Sequence, residues 1–417
     1  MTDLTRVWAE QQDAADELAS FRHRFHRTDP NLLYLDGNSL GMLPLATRER
    51  LSRFVEDEWG RDLVRGWPRW DPLPLQVGDT VGELIGAAAG QVVVCDSISV
   101  NLYKLAVAAL EAQPGRKVIV TDARNFPSDR YVLQGAAERR KGQLRQVPVD
   151  PVAGITSDAL HTYLADDVAL VAFSHVDYRS STIAQVAELT EQAHRAGALV
   201  LWDLAHSVGA VPIELDALGV DLAVGCTYKY LNAGPGSPAF LYVRRDLQPR
   251  LHNPIQGWWG VADPFDMDAP YTPADGIARW QTGTPPIPGV IAVQEGAALL
   301  ADAGIGRLRA KSVALTEYLI ALADAWLAPL GFTVVSTRDA ERRGGHVILA
   351  HDDAYRIGQA CSAAGVVGDT RPPNLFRLAP APVSTSFADV WEAMGRIRDL
   401  VASGAHLALP TERPRVT

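Results

Sequence analysis

The sequence predicts an α/β protein built on a mainly parallel β-sheet with helices on both faces. Between residues 80 and 243, short apolar runs rich in β-branched residues alternate with stretches of helical periodicity. The runs are continuously apolar, as expected of strands that are buried on both faces. No repeat with a period of about 20 to 50 residues interrupts this order, which favours one continuous architecture.

The predicted strands are the apolar runs at residues 118–121, 144–149, 168–173, 199–202, 222–225 and 239–243. Helical periodicity between them, for example at residues 183–195 before Gly197, predicts the crossover helices. Such sheets bind ligands at the carboxyl ends of their strands. The polar residues that follow each run are therefore the first candidates for a functional site.

The two ends of the chain have a different pattern. Residues 1–60 are mostly helical, and a Pro-rich bend at 284–288 leads into a helical stretch at 290–327 that we expect to break at Gly304 and Gly306. We predict a large domain at residues 61–294 and a small domain formed by 1–60 together with 295–417. The active site is expected in the crevice between them.

Composition excludes several classes of protein. The chain has 417 residues, 47% of them hydrophobic, and 39 basic against 49 acidic side chains give a net charge of −10. An acidic chain offers no broad basic surface to nucleic acid. We found no apolar run close to the ~20 residues of a membrane span and no basic-then-apolar leader, so a cytoplasmic location is predicted. Cys95, Cys226 and Cys361 are too far apart for a disulfide framework or a thiolate metal site, and no metal is expected.

An acid and a lysine follow two of the predicted strands. Asp203 ends the run at 199–202, and Lys229 follows the run at 222–225. A lysine in this position can form a Schiff base with an aldehyde, and a carboxylate can keep a pyridine nitrogen protonated. These are the two groups that pyridoxal phosphate (PLP) needs, although an Asp and a Lys at strand ends are also common surface residues.

Two further segments fit such a cofactor. Residues 96–101 carry Ser97 and Ser99 before a helical stretch, where hydroxyls and free amides could bind phosphate; an ordinary serine N-cap would look the same. Phe126 follows the run at 118–121 and could stack on a flat ring or simply anchor its loop. Neither a GxGxxG sequence after the first strand nor a GxxxxGK[ST] sequence is present, so dinucleotide and P-loop sites lose their main support.

Six sequence segments together resemble the kynureninase family. They are Tyr-Leu-Asp-Gly-Asn-Ser-Leu-Gly at 34–41, Phe-Pro-Ser-Asp at 126–129, Trp-Asp-Leu-Ala-His-Ser at 202–207, Gly-Cys-Thr-Tyr-Lys-Tyr-Leu-Asn at 225–232, Gly-Trp-Trp-Gly at 257–260 and Gly-Thr-Pro-Pro-Ile at 283–287. The similarity extends from about residue 30 to residue 395. It implies a fold type I PLP enzyme, similar to aspartate aminotransferase, with a mainly parallel seven-stranded sheet in the large domain and a smaller C-terminal α/β domain.

The resemblance also implies roles for individual residues. Lys229 would hold the cofactor covalently, Asp203 would pair with its ring nitrogen, and Tyr228 would donate and shuttle protons. Phe126 would stack on the ring. The other cofactor contacts would be Ile98, Ser99, Pro127, Ser128, Asp129, Ser174 and His206, with Trp258 and Thr284 reaching the cofactor from the partner subunit of a homodimer.

For the substrate, the resemblance implies Arg377 as the partner of the α-carboxylate, with Asn38 and Ser39 nearby. Arg377 lies between Pro373 and Pro380, a segment that on its own predicts a loop. The implied reaction is hydrolysis of L-kynurenine, or its 3-hydroxy form, to L-alanine and anthranilate or 3-hydroxyanthranilate, in tryptophan degradation or NAD biosynthesis.

Two departures and two alternatives stay open. Ala233 stands where the family usually has Gly, and Val261 stands where a histidine is common, so the resemblance predicts the cofactor site but not the pocket for the substrate's ring. Another fold type I enzyme, such as a cysteine desulfurase or epimerase, is one alternative, although Cys361 lies in a helical pattern and not in a mobile loop. A non-catalytic PLP-binding protein is the other.

Overall fold

The structure is a computed structural model and describes residues 3–411. Its α-helices are α1 Arg6–Ala14, α2 Leu45–Arg53, α3 Trp67–Trp70, α4 Leu73–Leu84, α5 Ile98–Ala112, α6 Pro127–Arg139, α7 Ser157–His161, α8 Val186–Arg195, α9 Ile287–Ala303, α10 Ile305–Leu322, α11 Ala354–Ala363 and α12 Phe387–Ala402. Its strands are β1 Leu33–Tyr34, β2 Val92–Val94, β3 Val118–Asp122, β4 Gln143–Val147, β5 Val168–Ser174, β6 Leu199–Asp203, β7 Leu222–Gly225, β8 Phe240–Val243, β9 Thr333–Val334, β10 Val347–Ala350, β11 Val366–Val367, β12 Asp369–Arg371 and β13 Leu375–Leu378.

A seven-stranded sheet forms the centre of the larger part of the chain. Its order is β2-β8-β7-β6-β5-β3-β4. Every pair from β7 to β4 is parallel, and only β8 runs against its neighbours. The fold predicted from the apolar runs is confirmed, and each of the six predicted runs coincides with a strand. β2, which has only three residues, was missed.

Both faces of this sheet are covered, as the continuous apolar runs predict. Along β3, Val118 and Val120 pack into one apolar cluster, whereas Ile119 packs into another on the opposite face. This alternation follows from the two-residue period of a strand. Helices α4, α8 and α9 contribute to the first cluster, and α5 and α6 contribute to the second.

A second, four-stranded antiparallel sheet lies near the C-terminus, in the order β12-β13-β10-β9. Helices α10, α11 and α12 form an apolar cluster with it, and Ala9 of α1 joins that cluster. The strands β1 and β11 also pair, Leu33 with Val366 and Tyr34 with Val367, so both chain ends meet here. The predicted domain boundary at residue 294 falls inside helix α9. The division of the chain at residues 60 and 294 stays a prediction.

The helix predictions need two corrections. The break at Gly304, whose φ of 78° favours glycine, is present, whereas Gly306 lies inside α10. The stretch Ile305–Leu330 is long and apolar enough, by those measures alone, to cross a membrane, contrary to the expectation that no such stretch exists. Leu315 and Leu319 of this stretch are fully buried in the chain's own core, which accounts for its apolar character.

Candidate active site

A cleft of about 280 Å³ opens at the carboxyl ends of the parallel strands, as the strand order predicts. Strands β5, β6 and β7 are adjacent in the sheet, so the residues that follow them meet at one edge. The lining also includes residues from the first turns of α5 and α6 and from β12 and β13. The lining residues are Asn38, Ser39, Ile98, Ser99, Phe126, Ser128, Asp129, Ser174, Tyr178, Asp203, Ala205, His206, Cys226, Tyr228, Lys229, Arg371 and Arg377.

Lys229 lies in the turn after β7 and points into the cleft. Its Nζ is 3.1 Å from Nε2 of His206. Gly41 packs against the backbone of this turn, and its N–H donates to the Tyr228 carbonyl at 2.8 Å. A Cβ at residue 41 would lie 2.3 Å from the Lys229 carbonyl oxygen, so only glycine fits there. The motif at residues 34–41 therefore supports the lysine turn directly.

Asp203 ends β6 and is buried beside a second carboxylate. Its Oδ1 accepts from the Ala205 N–H at 2.8 Å, and the Ser174 hydroxyl lies 3.5 Å from Oδ2. Burial raises the pKa of Asp203, with the charge of Lys229 acting against it. Burial, followed by the charge of Asp203, holds the pKa of Asp129 well above its usual value. The two acids lie in a site that lacks sufficient positive charge for both to ionise.

The amino end of α5 faces the cleft with two of the predicted phosphate contacts. Ser97 is the N-cap, since its Oγ accepts from the Val100 N–H. Ile98 and Ser99 begin the helix and line the cleft, and Oγ of Ser99 lies 3.0 Å from Oγ of Ser128. Backbone N–H groups and the helix dipole at such an end bind anions. The serine cap and the candidate phosphate site therefore coexist on neighbouring residues.

The first turn of α6 provides the aromatic ring predicted for the cofactor. Phe126 precedes the helix, is 41% exposed and meets Tyr178 edge to face at 5.1 Å. The exposed part of its side chain lines the cleft, where a flat ligand could contact it. Ser128 and Asp129 follow in the same turn and line the cleft, whereas Pro127 starts α6 and is not among the lining residues.

Arg377 lies in strand β13 and not in the loop that its flanking prolines predicted. β13 pairs with β10 and β12, and these ladders hold Arg377 at the floor of the cleft with 1% of its surface exposed. Its Nε donates to Asp369 at 2.5 Å, and Nη1 donates to the Tyr178 carbonyl at 2.8 Å. Ser39 accepts from Nη2 at 3.3 Å. The buried amide of Asn38 has no hydrogen-bond partner among the described residues.

Besides Pro127, two predicted residues are absent from the lining of this cleft. Trp258, 43% exposed, lines an apolar groove with Trp67, Trp259 and Phe265. Thr284 lines a neighbouring apolar groove that also includes Trp67. The structure describes a single chain, so the contact of Trp258 and Thr284 with a partner subunit's cofactor stays a prediction.

The sequence interpretation missed four residues of the lining, Tyr178, Ala205, Cys226 and Arg371. The first three follow strands β5, β6 and β7, so a stricter use of the strand-end rule would have included them. Arg371 carries no local signal. It reaches the site because β12 pairs with β13 and brings residues 369–371 beside Arg377.

The residues present fit PLP. His206 is buried, its pKa is lowered by burial and then by Lys229, and its Nδ1 has no partner among the described residues. A cationic ring nitrogen against Asp203 would supply the charge that the two buried acids lack. The amino end of α5 offers N–H groups to a phosphate, and Lys229 offers an amine to an aldehyde.

Comparisons with known proteins agree with this assignment. The family model described as "Kynureninase C-terminal domain" matches residues 308–397. The chain is 40% identical over 407 residues to a kynureninase of Burkholderia pseudomallei (strain 1106a), covering 96% of each chain. It is 40% identical over 397 residues to a kynureninase of Pseudomonas fluorescens, covering 93% of this chain and 94% of the relative. Among solved structures, it is similar in fold to a C-DES mutant with glycine covalently linked to the PLP cofactor, with a TM-score of 0.80, 18% identity and coverage of 91% and 99%.

Proposed function

Because the chain belongs to the kynureninase family, we propose that its cleft hydrolyses L-kynurenine to anthranilate and L-alanine through the residues described above. The identity over nearly the full length supports this reaction above a desulfurase, which shares only the fold. Cys361 also fails the desulfurase requirement, since it is fully buried in α11 and burial raises its pKa to about 12. The observation that carries the proposal is the convergence of Lys229, Asp203 and Arg377 on one cleft.

Bound PLP supplies an electron sink for the negative charge that develops on the substrate's α-carbon. The Nζ of Lys229, once free, would take the α-proton. It is the one lysine amine in the cleft lining, and within residues 3–411 it forms no salt bridge. Asp203 would keep the ring nitrogen of the cofactor protonated, and Phe126 would stack on its ring. His206 borders Lys229 as a neutral group, since its pKa is lowered, and so does not repel a protonated amine.

Tyr228 is the proposed proton donor when the carbon–carbon bond breaks. Burial raises the pKa of its hydroxyl, and the neighbouring Cys226 raises it further. The phenol therefore stays protonated at neutral pH and can give its proton to the developing carbanion. It is adjacent in sequence to Lys229, so one turn places both proton-transfer groups.

The reaction is tested by mixing purified protein and PLP with L-kynurenine and following anthranilate fluorescence. We expect stoichiometric L-alanine and anthranilate from the wild-type protein. Parallel assays with 3-hydroxy-L-kynurenine measure the preference that Ala233 and Val261 leave open. Formation of L-alanine from L-cysteine, with sulfide released by an added thiol reductant, and without any product from L-kynurenine, would overturn the proposal in favour of the desulfurase alternative.

Arg377→Lys is expected to lower kcat/KM for L-kynurenine by about a hundredfold, or about 3 kcal/mol. A lysine keeps the charge but cannot reproduce the planar contacts that Arg377 makes. Steady-state kinetics measures the loss, and the absorbance of bound cofactor should stay normal because no cofactor contact is removed. An unchanged kcat/KM would assign Arg377 to structure alone, and loss of the cofactor would place it in the phosphate site.

A homodimer is expected, in which Trp258 and Thr284 complete the partner's cofactor site. Large apolar residues around their grooves are exposed, including Val64 at 74% and Phe265 at 76%. Exposed apolar surface of this kind is typical of an interface, and a two-fold pair is the commonest closed assembly. Sedimentation equilibrium should give twice the 45.1 kDa chain mass. A fully active monomer at micromolar concentration would contradict both assignments.

We further propose a cytoplasmic enzyme of tryptophan degradation or NAD biosynthesis. The small amino acid substrate supports this location, and the acidic net charge of −10 argues against nucleic acid as the natural partner. Fractionation of the source cells, followed by assay for anthranilate formation, tests the location.

A further inference from the structure

The guanidinium of Arg377 is largely engaged by its own chain. It has five N–H groups, and four hydrogen bonds run from it to Asp369, the Tyr178 carbonyl and Ser39. Asp369 binds Nε and Nη2 together, so it already has the two-point contact that a substrate carboxylate would make. Arg377 therefore cannot offer this edge to substrate while Asp369 stays in place.

Asp369 is held in this arrangement by several partners. Burial alone would raise its pKa, but the hydrogen bonds and charge of Arg377, the charge of Arg371 and the hydrogen bond from Ser39 together outweigh burial and lower it. Its Oδ2 also accepts from the Ser39 hydroxyl at 3.0 Å and lies 2.7 Å from Nη2 of Arg371. Displacing this carboxylate would leave it buried with fewer partners, which costs more than a surface pair would.

Arg371 has the free donors that Arg377 lacks. It lines the same cleft, two residues from Asp369 on β12, and its side chain is 38% exposed. Among residues 3–411 its one salt-bridge partner is Asp369, and no hydrogen bond to another side chain or carbonyl is formed by its remaining N–H groups. They are available to an anion that enters the cleft.

The net charge around Arg371 and Arg377 favours the binding of one carboxylate. Arg371 and Arg377 carry two positive charges against the one negative charge of Asp369. The other acid nearby is Asp36, and burial, followed by the charge of Asp369, raises its pKa to about 7. Below neutrality Asp36 therefore cancels little of the excess positive charge, which a single carboxylate would balance.

We propose that Arg371 is a second binding residue for the substrate's α-carboxylate, and that it supplies the direct N–H contacts while Asp369 holds Arg377 in place beneath them. This inference rests on the proposed function, since it assigns one substrate group within the same cleft. Two arginines would then recognise the carboxylate: Arg377, which Asp369 holds in place, and Arg371, which has free N–H donors.

The test uses L-alanine and L-alaninamide, which differ in the carboxylate and lack the aromatic ring. Each is titrated into PLP-loaded protein and followed by the change in cofactor absorbance. The wild-type protein should prefer L-alanine. Arg371→Gln should weaken L-alanine binding about tenfold to a hundredfold and leave L-alaninamide binding unchanged. Arg371→Lys should restore part of the preference.

Arg398→Gln is the matched control, because Arg398 lies on α12 outside the cleft and pairs with Asp399 at 2.7 Å. It should behave as the wild type. Equal L-alanine affinity in Arg371→Gln and wild type would overturn the inference, as would a parallel loss for both ligands. Because wild-type turnover of L-kynurenine is measured separately, an inactive wild type would refute the proposed function, whereas active wild type with unaffected Arg371→Gln would refute this inference alone.

Discussion

Lys229→Ala is expected to reduce turnover of L-kynurenine below detection. The substitution removes both the covalent anchor of the cofactor and the base that takes the α-proton, so two steps are lost together. No other lysine can replace it. Lys104 is buried against Asp96 at 2.7 Å, Lys311 is paired with Asp16 at 2.6 Å, and neither lines the cleft.

Borohydride reduction followed by peptide mapping locates the anchor in the wild-type protein. The label should appear on the peptide that contains Lys229, and it should be absent from Lys229→Ala. Lys141→Ala, which removes an exposed lysine, is the control and should keep both label and turnover. Small primary amines should restore a fraction of the activity of Lys229→Ala, since they can enter the vacated space and act as the base. A label on Lys104 or Lys311 would show that the cofactor binds elsewhere.

Asp203→Asn is expected to lower kcat by about a thousandfold, or about 4 kcal/mol. An amide is neutral and cannot hold the ring nitrogen protonated, so negative charge on the substrate loses its electron sink. The fold should survive, because the amide oxygen can still accept from the Ala205 N–H that now binds Oδ1. Thermal unfolding of the variant shows whether its fold is intact, and kinetics of the same preparation then measures the loss of catalysis alone.

A cofactor methylated at the ring nitrogen provides the decisive comparison for Asp203. Its nitrogen is permanently cationic, so it does not need the carboxylate to stay charged. Reconstitution should recover much of the activity of Asp203→Asn and little or none in Lys229→Ala. Near-normal turnover of Asp203→Asn with ordinary PLP would leave Asp203 a structural role only. Failure of the methylated cofactor to rescue a folded variant would mean that the charge of Asp203 acts on another group.

The strands and the anchor residues were predictable from the sequence because local pattern determines them. Continuous apolar runs require burial on both faces, and this pattern predicts six strands of the central sheet. The polar residues after those runs, Asp203 and Lys229 first among them, then had to gather at one edge of the sheet. Strand β2 was not predicted because a run of three apolar residues, Val92–Val94, is too short to show a period.

Only the tertiary structure decided how the substrate end of the cleft is built. Asp369 and Arg371 meet Arg377 because β12 and β13 pair in a register that places Asp369 opposite Arg377. That register depends on packing and ladder hydrogen bonds between β12 and the segment 373–380, whose own pattern predicted a proline-bounded loop. Likewise, Gly41 supports the Lys229 turn across 188 residues of sequence by close backbone contact. Pattern reveals which residues are apolar or reactive, whereas contacts between distant segments set which donors stay free, and those donors determine what the site can bind.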